Sequence, residues 1–202
     1  MNTHRIEALA DAIFAIAMTL LVIDLRLPTF LQPTDGQLLP ALHQLVPGFL
    51  SYAISFVILG IFWIGHHNQM HYIRKSDRTF LWLNILFFMF IALTPFSASL
   101  LGAAAFTKVG NIFYAMNLIL SGVCLWLIWY YGTANELTET KLDKKLIDTV
   151  SVRILTAPAF YAAAILSVLI FPSPFGAHVS HLLFLVPILI YVLPGRVDRH
   201  LR

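Results

Sequence analysis

The sequence predicts an all-α integral membrane protein, a bundle of six transmembrane helices. Hydrophobic residues make up 59% of the 202 positions and charged residues 11%, against roughly 25% charged in soluble domains. A water-soluble fold needs a polar skin that this composition does not supply. The apolar residues are gathered into six runs, at about 6–27, 46–65, 80–101, 111–131, 150–171 and 177–194. Each is long enough to cross about 30 Å of hydrocarbon as a helix. Lysine and arginine are distributed as six crossings require. With a cytoplasmic amino end, Arg5, Arg74, Lys75, Arg78, Lys141, Lys144, Lys145, Arg153, Arg196, Arg199 and Arg202 fall inside, and Arg26 and Lys108 fall outside.

The first run carries Glu7 and Asp11 where the apolar core of a cleavable leader would lie, so the segment reads as a retained span. Pro28, Pro33, Pro40 and Pro47 punctuate the connection that follows. Span two ends in Trp63-Ile64-Gly65-His66-His67, at the depth where span one begins. Trp63, Trp82, Trp126 and Trp129 fall near the cytoplasmic ends of their spans, as an interfacial belt does. The hydrophilic stretch 133–148 reads as a solvated cytoplasmic loop or short surface helix. Pro172, Pro174 and Gly176 make the last connection very short. Residues 1–202 then form one six-helix transmembrane domain, with no internal repeat and no low-complexity tract.

Several function classes are excluded by what the spans lack. The net charge of +3 is spread over short loops, which argues against nucleic-acid binding. The single cysteine, Cys124, has no intrachain partner. There is no Gly-x-Ser-x-Gly elbow and no phosphate-binding glycine loop, hence no catalytic residue, no cofactor and no enzyme. His67 and His71 share a helical face, but His178 and His181 lie at the opposite membrane surface, too far apart for one metal centre. A Thr-Val-Gly-Tyr-Gly filter is absent, as is a voltage-sensor arginine repeat. A secondary transporter of a small solute or ion is the alternative, because Pro95, Pro158 and Pro187 could break their spans around a substrate site. Thr94, Ser97, Ser99 and Thr156 would be its polar groups.

Span one is two-faced. At about 100° per residue, Leu9, Ala12, Ile16, Thr19, Leu20 and Ile23 share one stripe, and Asp11 points away from it. An intramembrane carboxylate is costly unless paired. His66 or His67 at the end of span two lies at the right depth to pair with it, and Arg5 is near enough in sequence to join the network. From spacing alone the stripe reads as helix packing, and the Asp11 pair as packing glue more readily than as a proton relay.

Arg5, three residues, and then Leu9-Ala10-Asp11 resembles the R-x-x-x-F-S-D signature of the transmembrane protein 175 family of potassium channels, with Leu and Ala in place of Phe and Ser. Trp63 followed by His66 is similar to that family's second landmark. The resemblance implies a single-repeat, bacterial-type channel that assembles as a homotetramer in the lipid bilayer of the plasma membrane, with both termini cytoplasmic. It implies a central pore lined by span one, with Ile16 as constriction, Leu20 and Ile23 as further hydrophobic layers, and Thr19 as a hydroxyl layer for the permeant K+. Asp24 would add negative charge at the outer mouth, opposed by Arg26. Arg5, Asp11, Trp63 and His66 would form the interhelical polar network holding spans one and two in register.

Overall fold

The computed structural model describes residues 3–26 and 34–192. It is all-helical: α1 (His4–Leu20) runs into a short 3-10 turn (Leu21–Asp24), followed by α2 (Asp35–Gln44), α3 (Val46–Tyr72), α4 (Arg78–Ala103), α5 (Lys108–Ala134), α6 (Lys144–Ile170) and α7 (Phe175–Val192). Six of these segments are long and apolar enough to cross a membrane, α1 counting together with its 3-10 turn. The six expected runs fall on them in order. The connections at 104–107 and 171–174 hold four residues each, which leaves no room for a re-entrant filter loop at either place.

The helices outrun the apolar stretches. Spans two to five each have 26 or 27 residues, because a helix continues past the hydrocarbon wherever its ends find caps and water. Asp77 accepts a bond from the Phe80 amide at 2.8 Å and so starts α4. Thr107 does the same for α5, accepting from Gly110 at 3.2 Å. The proline-marked connection also contains a helix, α2, which the sequence reading left as loop. Its signal is a Thr34-x-x-Gln37 pattern, in which the Thr34 amide donates to the Gln37 side chain at 3.4 Å. Pro28, Pro33, Pro194 and the arginines at 196, 199 and 202 lie outside the described residues.

In lipid, apolar side chains gain little by leaving one hydrocarbon for another, so close approach and polar bonds select the neighbours. α5 is the hub, packing on α4 and α6 and also touching α3 and α7. Its sequence is suited to this role, with Gly110, Ala115, Ser121, Gly122 and Gly132 among its residues. At Gly122 a Cβ would stand 2.4 Å from Cγ of Pro158 on α6, so only glycine lets the two helices meet there. α1 sits at the edge of the bundle against α4 and α3.

One end of the bundle is zipped by backbone bonds between its loops. The amides of Arg74 and Lys75 both donate to the Leu137 carbonyl, at 3.1 and 3.0 Å, and the Glu139 amide donates to Tyr72 at 3.2 Å. The Tyr131 hydroxyl donates to Asp77 at 2.8 Å. Together with the Phe80 amide, whose bond is the larger influence, it holds the Asp77 carboxyl below its ordinary range. The basic residues 5, 74, 75, 78, 141, 144 and 145 gather at this end, as the charge count anticipated. Arg153 lies further in, over the ring of Tyr191 at 5.5 Å.

Two predictions follow from these contacts. Gly122→Ala should destabilise the protein by about 1–3 kcal/mol, the usual cost of overpacking a tight contact. A thermal melt in detergent reads this as a lower midpoint, and an unchanged midpoint would refute the close approach of α5 and α6. Asp77 has a lowered folded pKa, so its contribution is present above its unfolded value of about 3.9 and is lost as pH falls through the folded one. The stability gap between wild type and Asp77→Asn should therefore be flat from neutral pH to about pH 5 and close on further acidification.

Candidate functional site along the first helix

The two faces of α1 have separate duties. Ile6, Ala10, Phe14, Ala17 and Leu21 recur at three- and four-residue spacing and are all buried. Phe14 meets Phe87 of α4 with ring centroids 6.0 Å apart, and the two alanines let the backbone come close to its neighbours. The opposite face is turned away from the bundle. On it Leu9, Ile16, Leu20 and Ile23 are 47%, 59%, 42% and 52% exposed in the isolated chain. Ala12 and Thr19 are exposed on the same stripe. The stripe drawn from helical spacing is thus the unpartnered side of the helix.

Thr19 adds direction to that face. Its hydroxyl proton is shared between the carbonyls of Ala15 and Ile16, each 2.9 Å away. With the proton committed to its own helix, the oxygen presents lone pairs outward, the polarity that a cation needs. Such a bond back to the helix also tends to bend it, and the α-helical ladder gives way to the 3-10 turn at Leu21. Arg26 closes the segment, its Nε donating to the Ile23 carbonyl at 3.2 Å. The side chain of Asp24 lies outside the described residues.

The polar network differs from the expected pairing. Asp11 accepts a hydrogen bond from the indole Nε1 of Trp63 at 2.8 Å, so its partner is not His66 or His67. Helical phase is the reason. Trp63 and His67 are four residues apart and share a face, with their rings stacked at 5.8 Å. His66 is rotated towards α4, where it is buried, stacks on Phe87 at 5.6 Å and meets Asn84 Oδ1 at 2.8 Å. The Asn84 amide donates to the Phe80 carbonyl, which leaves Oδ1 as acceptor and puts the hydrogen on His66 Nε2. Arg5 stands on the exposed side of α1, in line with Leu9 and Ala12. Asn84 is the residue the sequence reading missed, since its place one turn into span three gives no hint of its partner.

Alternative chemistries find little support in the geometry. α4, α6 and α7 run unbroken through Pro95, Pro158 and Pro187. Thr94, Ser97 and Thr156 donate to carbonyls of their own helices. His71 packs against Tyr72, and His178 and His181 pack against Phe106 at the other end of the bundle. Among the described residues no three His, Cys, Asp or Glu side chains converge as metal ligands.

Six apolar helices tied by a few interhelical polar bonds define a polytopic membrane protein. Residues 5–95 match the family described as the endosomal/lysosomal potassium channel TMEM175. A potassium channel of Streptomyces collinus is 29% identical over 147 residues, covering 70% of each chain. One from Chamaesiphon minutus is 28% identical over 81% of this chain and 82% of its own. The endosomal/lysosomal proton channel TMEM175 of Gallus gallus is 35% identical over 50% of this chain but only 21% of its own length. The fold matches the crystal structure of a lysosomal potassium-selective channel TMEM175 homolog from Chamaesiphon minutus, with a TM-score of 0.81 over 95% of this chain and 96% of that one, at 24% identity. The likeness to the transmembrane protein 175 family is thus carried by residues 5–95 in sequence and by the whole six-span fold in structure.

The Asp11–Trp63 bond is testable by a double-mutant cycle. Asp11→Ala, Trp63→Phe and the double variant should give a coupling of about 1 kcal/mol in thermal stability, the scale of one net hydrogen bond. Strict additivity would show that the contact does not hold α1 to α3.

Proposed function

We propose that this chain is a potassium-preferring cation channel, formed by four copies around a central axis lined by α1. The 202 residues act as one six-span unit in a bacterial plasma membrane, with both termini on the cytoplasmic side. The reading rests on the outward face of α1, which lies within the part of the chain that matches the family. Four copies of Ile16 would make an aliphatic ring narrow enough to gate by dewetting. Leu20 and Ile23 would add layers further out. Thr19, with its lone pairs outward, would replace part of the hydration shell of K+ between the aliphatic layers. Asp11 with Trp63, and His66 with Asn84, would keep α1, α3 and α4 in register so that the rings stay aligned, while Arg5 stands on the outward side of α1 and takes no part in that register. The potassium preference draws support from the names of the Streptomyces and Chamaesiphon relatives.

Potassium flux from liposomes holding purified protein tests this reading. Ile16→Asn should wet the ring and raise flux about tenfold, equivalent to lowering the barrier by about 1.4 kcal/mol, with weaker discrimination against sodium. Equal flux and selectivity in wild type and a folded variant would remove Ile16 from the pore.

A further inference from the structure

Behind the 3-10 turn lies a cavity of about 210 Å³, open on one side, that the pore reading does not use. Leu21 and Leu25 form one wall, Gly48 and Ser51 of α3 a second, and Ser99 and Gly102 of α4 a third. Its floor is the close approach of α3 and α4, where a Cβ on Gly102 would stand 3.4 Å from the Gly48 Cα and 3.6 Å from the Ser51 Cβ. Among the described residues no charged side chain lines the space. The Ser51 hydroxyl donates to the Ala98 carbonyl at 2.9 Å, so its oxygen faces the cavity as an acceptor. Ser99 adds a second hydroxyl, and Tyr52 and Gln44 complete the polar part of the lining.

We infer that this cavity is a binding site for a small uncharged amphiphile, a one-ring aromatic alcohol in size and chemistry, and that its occupancy controls conduction. Size decides the class. A protein cavity of about 150 Å³ lined by apolar groups holds benzene, so this one has room for a ring bearing a short hydroxylated arm. Charge is excluded because an ion would enter without a counter-charge and would bear the cost of desolvation. The ligand's hydroxyl donates to Ser51 Oγ while its ring lies against Leu21, Leu25 and the glycine floor.

The link to conduction, which rests on the pore reading, runs through one short turn. Leu21 is buried beside the cavity, and Val22 and Ile23 are exposed on the far side of the same four residues. The 3-10 turn ends α1, and both Leu21 and Ile23 belong to it, so a displacement of one is passed to the other through four residues of backbone. An occupant braces Leu21 and Leu25 from behind, and so fixes where Ile23 stands.

The test separates binding from conduction. Cys124→Ser removes the single cysteine, and Ser99→Cys then places a thiol in the cavity wall. Labelling by benzyl methanethiosulfonate is followed by intact mass, with Leu182→Cys on the exposed face of α7 as control. Benzyl alcohol at about four times its dissociation constant should slow labelling of Ser99→Cys about fivefold, by simple mass action, and leave Leu182→Cys unaffected. Leu25→Trp, which fills the cavity from a non-helical position, should remove the protection. Equal slowing at both thiols, or none at either, overturns the site. Potassium flux is then compared before and after labelling of Ser99→Cys. A severalfold change supports coupling, and protection with unchanged flux overturns it. Absence of flux from the unlabelled parent refutes the pore reading instead, and the protection result still decides the site.

Discussion

The hydrocarbon interior offers no water, so a polar side chain within a span is stabilised by a partner in the protein, and such partners decide which helices meet. Asp11 to Trp63 ties α1 to α3. His66 to Asn84 ties α3 to α4, and Gln69 to the Leu125 carbonyl ties α3 to α5. Ser55 and Tyr114 meet at 2.9 Å, and Asn117 donates to both Thr94 and Ser97. Each such bond is worth only about 0.6–2 kcal/mol in a membrane. They nevertheless discriminate between neighbours where apolar contact does not, and the glycines of α5 let their partners come within reach.

The two-faced first helix follows from this constraint. One side is spent on the bundle through small residues and one aromatic contact, so the other is left without a partner in its own chain. The departure from the family signature fits the same division. Ala10 stands where the signature has serine, and it lies on the buried face with almost no exposed surface. The missing hydroxyl is therefore lost from a packed seam, where a small side chain serves close approach. Leu9, in place of phenylalanine, falls on the outward stripe. It changes the lining of that face rather than the packing of the helix.

Much of this was legible in the sequence, and the limits have physical causes. Six apolar runs and the charge asymmetry sufficed for the spans, because a bilayer imposes length and composition on every crossing. Helical spacing alone drew the stripe from Leu9 to Ile23. The partner of Asp11 was misread because depth along a helix can be counted but rotation about its axis depends on tertiary packing. Trp63, three residues before His66, faces α1 while His66 faces α4. Four prolines punctuate the first connection, yet Pro40 lies inside a ten-residue helix that begins at a capping box, a local signal that the proline pattern obscures. The Asn84 acceptor and the Gly122–Pro158 contact join residues far apart in the chain, which no local pattern announces.

The two ends of the bundle are mechanically unlike, and this bears on how α1 could move. At the end rich in basic residues, backbone bonds between residues 72–75 and 137–139 join the α3–α4 and α5–α6 connections. A change there must break several bonds together. At the other end α1 loses its regular ladder at Leu21, carries a threonine bonded back to its own turn, and borders a cavity floored by glycine. Between the two, Asp11 and Trp63 fix α1 to α3 roughly two turns before the ladder ends. Beyond that bond Phe14, Ala17 and Leu21 are still buried against the bundle, so the inner face of α1 is packed along its whole length and only its backbone ladder changes at the tip.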